Sequence, residues 1–147
     1  MINANINGIL NQNSNIYPSW DFVCRVTNGG IQYPNMPVKL SSFNLNMSSK
    51  NIGPDLSKLT VDLNPFSLLL NDKPVKGTLH FEDIVDNAHV IGNIKANIDL
   101  NDYKQFMPLD KGVDLSGLIR TDLSFDFRKK QVELGDFENI ALKGDFV

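Results

Sequence analysis

The chain has 147 residues, is 41% apolar and 21% charged, and carries a formal net charge of −3 at pH 7. That balance describes a soluble, mildly acidic globular domain with enough chain to build a core, and it excludes a disordered tail. No apolar run is longer than that of Leu68-Leu69-Leu70, so no segment reads as a bilayer-spanning helix, and the longest basic cluster, Arg128-Lys129-Lys130, is too short to suggest nucleic-acid binding.

Residue usage tips the chain toward strands. There are only four alanines and three glutamates, both strong helix formers, against 18 asparagines, 14 aspartates, 22 valines plus isoleucines and nine phenylalanines. In chain order, residues 1–10 alternate Ile2, Ala4, Ile6, Gly8 and Leu10 against Asn3, Asn5 and Asn7. Phe22, Cys24 and Val26 form a second alternating run, and Phe43, Leu45 and Met47 a third. Leu59-Val61-Leu63, Phe66-Leu68-Leu70 and Val75-Gly77-Leu79-Phe81 follow. The strongest patterns come next. Val90, Gly92, Ile94, Ala96, Ile98 and Leu100 share one face, as do Leu115, Gly117, Ile119, Thr121, Leu123, Phe125 and Phe127. Alternation of this length predicts long antiparallel strands with one wet face. Ile140, Leu142, Gly144 and Phe146 close the series.

Turn chemistry is expected at Asn28-Gly29-Gly30, Gly53-Pro54-Asp55, Asn64-Pro65 and Asn71-Asp72-Lys73-Pro74. The count is about nine or ten strands. Residues 101–106 predict one short helical turn stopped near Pro108, and residues 129–134 a second or a turn between strands. The expected fold is therefore mainly β, a long antiparallel up-and-down sheet, curled or sandwich-like, with one or two short helical turns. A recurring apolar–x–Gly–x–apolar pattern sets Gly8, Gly77, Gly92, Gly117 and Gly144 on the apolar side, where they could align as a crease. Residues 1–147 read as a single β-rich segment, and alternation running to both ends suggests that it belongs to a longer protein.

The residue patterns carry no sign of catalysis. His80 and His89 fall on the polar side of their strands, and neither has metal-ligand spacing. Cys24 shares a face with Phe22 and Val26, which suits a small hydrophobe better than a nucleophile. The acidic loops at residues 82–87 and 99–102 do not follow the spacing of a calcium-binding EF-hand loop. An enzyme is not expected, nor a cofactor or a metal.

Three stretches nevertheless carry a likeness. Gly30-Ile31-Gln32-Tyr33-Pro34-Asn35-Met36-Pro37-Val38-Lys39, the alternating run 90–100 leading into Asn101-Asp102-Tyr103-Lys104-Gln105-Phe106-Met107-Pro108-Leu109, and Gly112-Val113-Asp114-Leu115-Ser116-Gly117 resemble AsmA-like proteins of Bacteroidetes-type bacteria. The resemblance implies part of a periplasmic protein anchored in the inner membrane, similar to the repeating β-groove proteins, and associated with outer-membrane biogenesis and phospholipid transport between membranes. It supplies no catalytic residues.

Ile94, Ala96, Ile98, Ile119, Leu123, Phe125 and Phe127 are the candidate lipid-contacting residues, with Phe66, Leu68, Leu79 and Phe81 on the same surface. Two arrangements fit this pattern. The apolar face is either an open groove for phospholipid or the closed core of a structural or protein-binding β-sandwich, and periodicity does not distinguish them. Exposed edge strands would make an edge-to-edge dimer of the isolated segment feasible.

Overall fold

The computed structural model describes residues 1–31, 39–103 and 116–146. Over these residues the chain forms one eight-stranded antiparallel sheet whose spatial order is its sequence order. The strands are β1 (Ile2–Asn7), β2 (Ser19–Ile31), β3 (Leu40–Asn51), β4 (Thr60–Leu70), β5 (Lys73–Glu82), β6 (His89–Asp99), β7 (Leu118–Arg128) and β8 (Ala141–Phe146). The sheet does not close, so β1 and β8 are its edges. Short helices α1 (Leu100–Tyr103) and α2 (Lys129–Glu133) follow β6 and β7. The mainly β, up-and-down architecture expected from alternation is the one the chain adopts. The rest of the expected helical turn, residues 104–106, and the expected strand start at Leu115 lie outside the described residues.

Two expected turns are corrected, and eight strands remain among the described residues. Asn64-Pro65 lies inside β4, where the register with β5 slips between Leu63 and Phe66. Asn28-Gly29-Gly30 likewise lies inside β2, at slips between Val26 and Gly29 and between Gly29 and Ile31. Both are bulges. A bulge and a turn draw on the same residues, since proline lacks a ladder donor and Asn28 takes a left-handed φ of 52°. Asn71-Asp72 is a true turn. Both residues have positive φ, 47° and 62°, and Leu70 pairs directly with Lys73, which is a two-residue type I′ hairpin.

The glycine pattern aligns only in part. Gly77 and Gly144 lie in one cross-strand row, Phe66–Gly77–Ile94–Leu123–Gly144, whereas Gly92 lies in the next row, between Leu79 and Phe125. Gly8 and Gly117 fall outside the strands, each at a φ of +121°. The five do not form one crease. Their spacing along the chain repeats, but strand register places them on different rows.

Among the described residues only Phe66 and Ala96 are buried apolar side chains, at 9% and 7% exposure. Substantial contacts between strands are confined to neighbours in the sheet. No second sheet covers either face among the described residues. Among the described residues the one fully buried side chain is polar: Asn51, at 1% exposure, donates through Nδ2 to the Pro18 carbonyl at 2.9 Å. That bond ties the end of β3 to the start of β2. Asn51→Ala should lower stability by about 1–2 kcal/mol, because the Pro18 carbonyl loses its donor. Asn51→Asp should cost more, since it sets a buried carboxylate against a carbonyl. Urea unfolding checks both, as a lower midpoint at unchanged slope.

Candidate functional site: the apolar sheet face

Cross-strand register assembles the face. On β6 and β7, Val90 pairs with Phe127, Gly92 with Phe125, Ile94 with Leu123, Ala96 with Thr121 and Ile98 with Ile119. All seven candidate residues therefore occupy one side of a single strand pair. Ala96 is buried and the other six are half-buried. The Phe125 and Phe127 rings lie 5.7 Å apart at a 40° tilt, within the range of favourable aromatic pairing. Gly92 makes room for Phe125: a Cβ built on Gly92 would meet Phe125 Cζ and Leu79 Cδ2, each at 2.7 Å.

The same face continues across the sheet. Val75, Gly77, Leu79 and Phe81 of β5 pair with Ala96, Ile94, Gly92 and Val90. Behind them, β4 presents Val61, Leu63, Phe66 and Leu68 opposite Phe81, Leu79, Gly77 and Val75. Phe66, Leu68, Leu79 and Phe81 thus join the candidate surface. Three further strands extend it beyond the residues expected from sequence. β3 adds Leu45 and Met47, β2 adds Phe22, Cys24 and Val26, and β1 adds Ile2 and Ala4. The signal for these was present as short alternating runs; only the register shows that their apolar sides coincide. Toward the edges the face is more open, with Ile2 at 70% and Leu142 at 62% exposure.

The opposite face is polar and laced by charge. Asp62 on β4 meets His80 Nδ1 at 2.7 Å, and Glu82 meets His89 Nδ1 at 2.7 Å. His89 Nε2 contacts Asp126 on β7 at 2.6 Å. With a carboxylate on each ring nitrogen, His89 donates from both only as imidazolium. Hydrogen bonding to Glu82, then to Asp126, raises its pKa above the ordinary 6.5 despite burial and the nearby Arg128 charge. The same bond to His89 lowers Glu82 below its usual 4.5.

The two signs bound a pH window. The raised histidine contributes fully below 6.5 and is lost as pH rises through its folded value. The depressed carboxylate contributes fully above 4.5 and is lost as pH falls through its own folded value. Stability should therefore peak between about pH 4.5 and 6.5. The melting temperature should fall by a few degrees toward pH 8.5, and His89→Gln should flatten that decline in calorimetry.

The two acidic loops are engaged by cations. Lys73 Nζ sits 2.7 Å from Asp99 Oδ2 and, with the Asn101 amide, holds the Asp99 carboxyl at about 2. Arg128 reaches Asp83 at 3.4 Å and Lys130 reaches Asp86 at 3.5 Å. Cys24 is half-buried on the apolar face, opposite Ile2 and Met47.

No protein-family model matches this sequence, and neither the curated proteins nor the solved structures supply a match.

Proposed function

We propose that this chain is a non-enzymatic, lipid-carrying segment of an AsmA-like envelope protein. In this reading it lies in the periplasm as part of an inner-membrane-anchored protein and serves outer-membrane biogenesis by conducting phospholipid between membranes. The observation that carries the lipid reading is the apolar face, which runs through successive strands of a single sheet with no second layer over it among the described residues. Burying a methylene is worth about 0.8 kcal/mol, so a tail of fifteen methylenes gains about 12 kcal/mol on leaving water. A continuous apolar wall supplies part of that gain, from the side of the tail it covers, without a nucleophile, metal or cofactor. The envelope placement rests on the sequence resemblance.

Native mass spectrometry of the gently purified chain, with lipid extraction of the same sample, tests the proposal. Co-purifying phospholipid is the expected result. A lipid-free chain that also fails to take up phospholipid from vesicles overturns it. A second reading, a structural or protein-binding β domain, draws on the β1 edge, where Ile2 and Ile6 are 70% and 66% exposed. It predicts strand addition at that edge, with a second copy or another protein, and no lipid.

A further inference from the structure

On the polar face, at the level of the bulges in β2 and β4, lies an open depression of about 380 Å³. Three cations line it: Arg25 from β2, Lys76 from β5 and Lys95 from β6. Lys76 and Lys95 stand directly opposite each other in register. Like charges at such positions destabilise a sheet. Lys95 is compensated by an ion pair to Asp122. Lys76 makes no ion pair or hydrogen bond among the described residues, although its charge is felt at Asp122. Arg25 is oriented by its Nε, which donates to Asn46 Oδ1 at 2.9 Å, and neither Nη group has a partner among the described residues. Ser67 and Thr78 share the wall with Val26, Leu45, Pro65 and Phe66.

No carboxylate lines the depression among the described residues, and Asp122, which pairs with Lys95, lies outside it. We propose that this depression binds the phosphate group of a small polar molecule or lipid headgroup. Lys76 and Lys95 grip the dianion from two adjacent strands, and the Arg25 guanidinium closes on it from the far side. The geometry suits a phosphomonoester: fixed cations neutralise the dianion, and Ser67 and Thr78 offer hydroxyls to an attached polyol. An occupant would also relieve the repulsion between the two lysines. The three cations stand on the side of the sheet opposite the apolar surface, and the site does not depend on the lipid-groove reading.

The test uses the whole chain at low ionic strength, with glycerol 3-phosphate and vesicles of phosphatidic acid or phosphatidylcholine as probes. Amide shifts at Ser67, Lys76, Thr78 and Lys95 should saturate with glycerol 3-phosphate. Lys76→Gln should weaken binding about tenfold, the loss of one charge-assisted hydrogen bond, without lowering the melting temperature. Lys129→Gln, which removes a cation on α2, should leave the affinity unchanged.

Saturation by glycerol 3-phosphate alone identifies a soluble phosphate. Lysine-dependent binding to phosphatidic acid vesicles but not to phosphatidylcholine identifies a lipid headgroup. Absence of saturation by every probe, or equal weakening by Lys129→Gln, overturns the site.

Discussion

Ile98→Asp and Phe125→Asp should each strip bound phospholipid from the purified chain by roughly tenfold while the sheet survives. Both residues are half-buried on the proposed lipid-bearing face, Ile98 opposite Ile119 and Phe125 opposite Gly92. With no layer packed above them among the described residues, an aspartate at either position stays hydrated. The cost is then lost cross-strand packing and poor strand propensity, about 1–2 kcal/mol, and not the much larger penalty of a buried unpaired charge. For a chain of this size that is a fall of about 2–8 °C in melting temperature.

Phe125→Asp should be the more costly, because it also uncovers Gly92. Circular dichroism and native mass spectrometry on the same samples read both effects. Retention of lipid in both variants would sink the groove. Global unfolding of both would instead point to a packed core over this face. Ile98→Leu should behave as the parent chain.

Gly77→Ala should be the most damaging single methyl that can be added to the sheet. A Cβ at Gly77 would lie 2.0 Å from the Asn93 carbonyl oxygen and 3.2 Å from Ile94 Cα. These are backbone atoms of the paired strand, so no side-chain rotation relieves the clash. β5 must move away from β6, which breaks the ladder beside Thr78 and Asn93. The expected cost is about 3 kcal/mol or more, a drop of about 6–12 °C in melting temperature.

Two companions separate the mechanism from a general aversion to alanine. Gly92→Ala meets the ends of Leu79 and Phe125, which can rotate, and should cost less. Gly117→Ala meets nothing within 4 Å and bears only the strain of its φ of +121°, about 1 kcal/mol. Equal stability of Gly77→Ala and the parent would refute the close approach of β5 and β6.

The strands that sequence reading locates best are those with unbroken alternation. Residues 90–100 and 115–127 match β6 and β7 to within a few residues, and the seven candidate side chains on them share a face as expected. Reading fails where the alternation breaks. Asn64-Pro65 and Asn28-Gly29-Gly30 carry turn-forming residues, yet β4 and β2 pass through them as bulges. Local composition is the same for both outcomes, and only the pairing of the flanking residues decides between them.

The polar-face features were less visible. His80 and His89 are placed on the wet side by alternation, but their carboxylate partners depend on register. Asp126 is 37 residues from His89 in sequence, and Asp62 is 18 from His80. The Lys76–Lys95 opposition has the same origin.

Composition and period-2 alternation thus determined, without any coordinates, that this chain is mainly β, that its strands run antiparallel, and that each has one apolar and one polar side. Those are local properties, set by side-chain direction on an extended backbone. The tertiary structure decided the rest: the count of eight strands among the described residues, a sheet left open, apolar sides joined in one surface, and cations gathered around a depression on the other. Each of these depends on which residues stand opposite one another across a ladder. Register is a relation between distant segments, and a one-residue slip would turn every side chain of a strand to the other face.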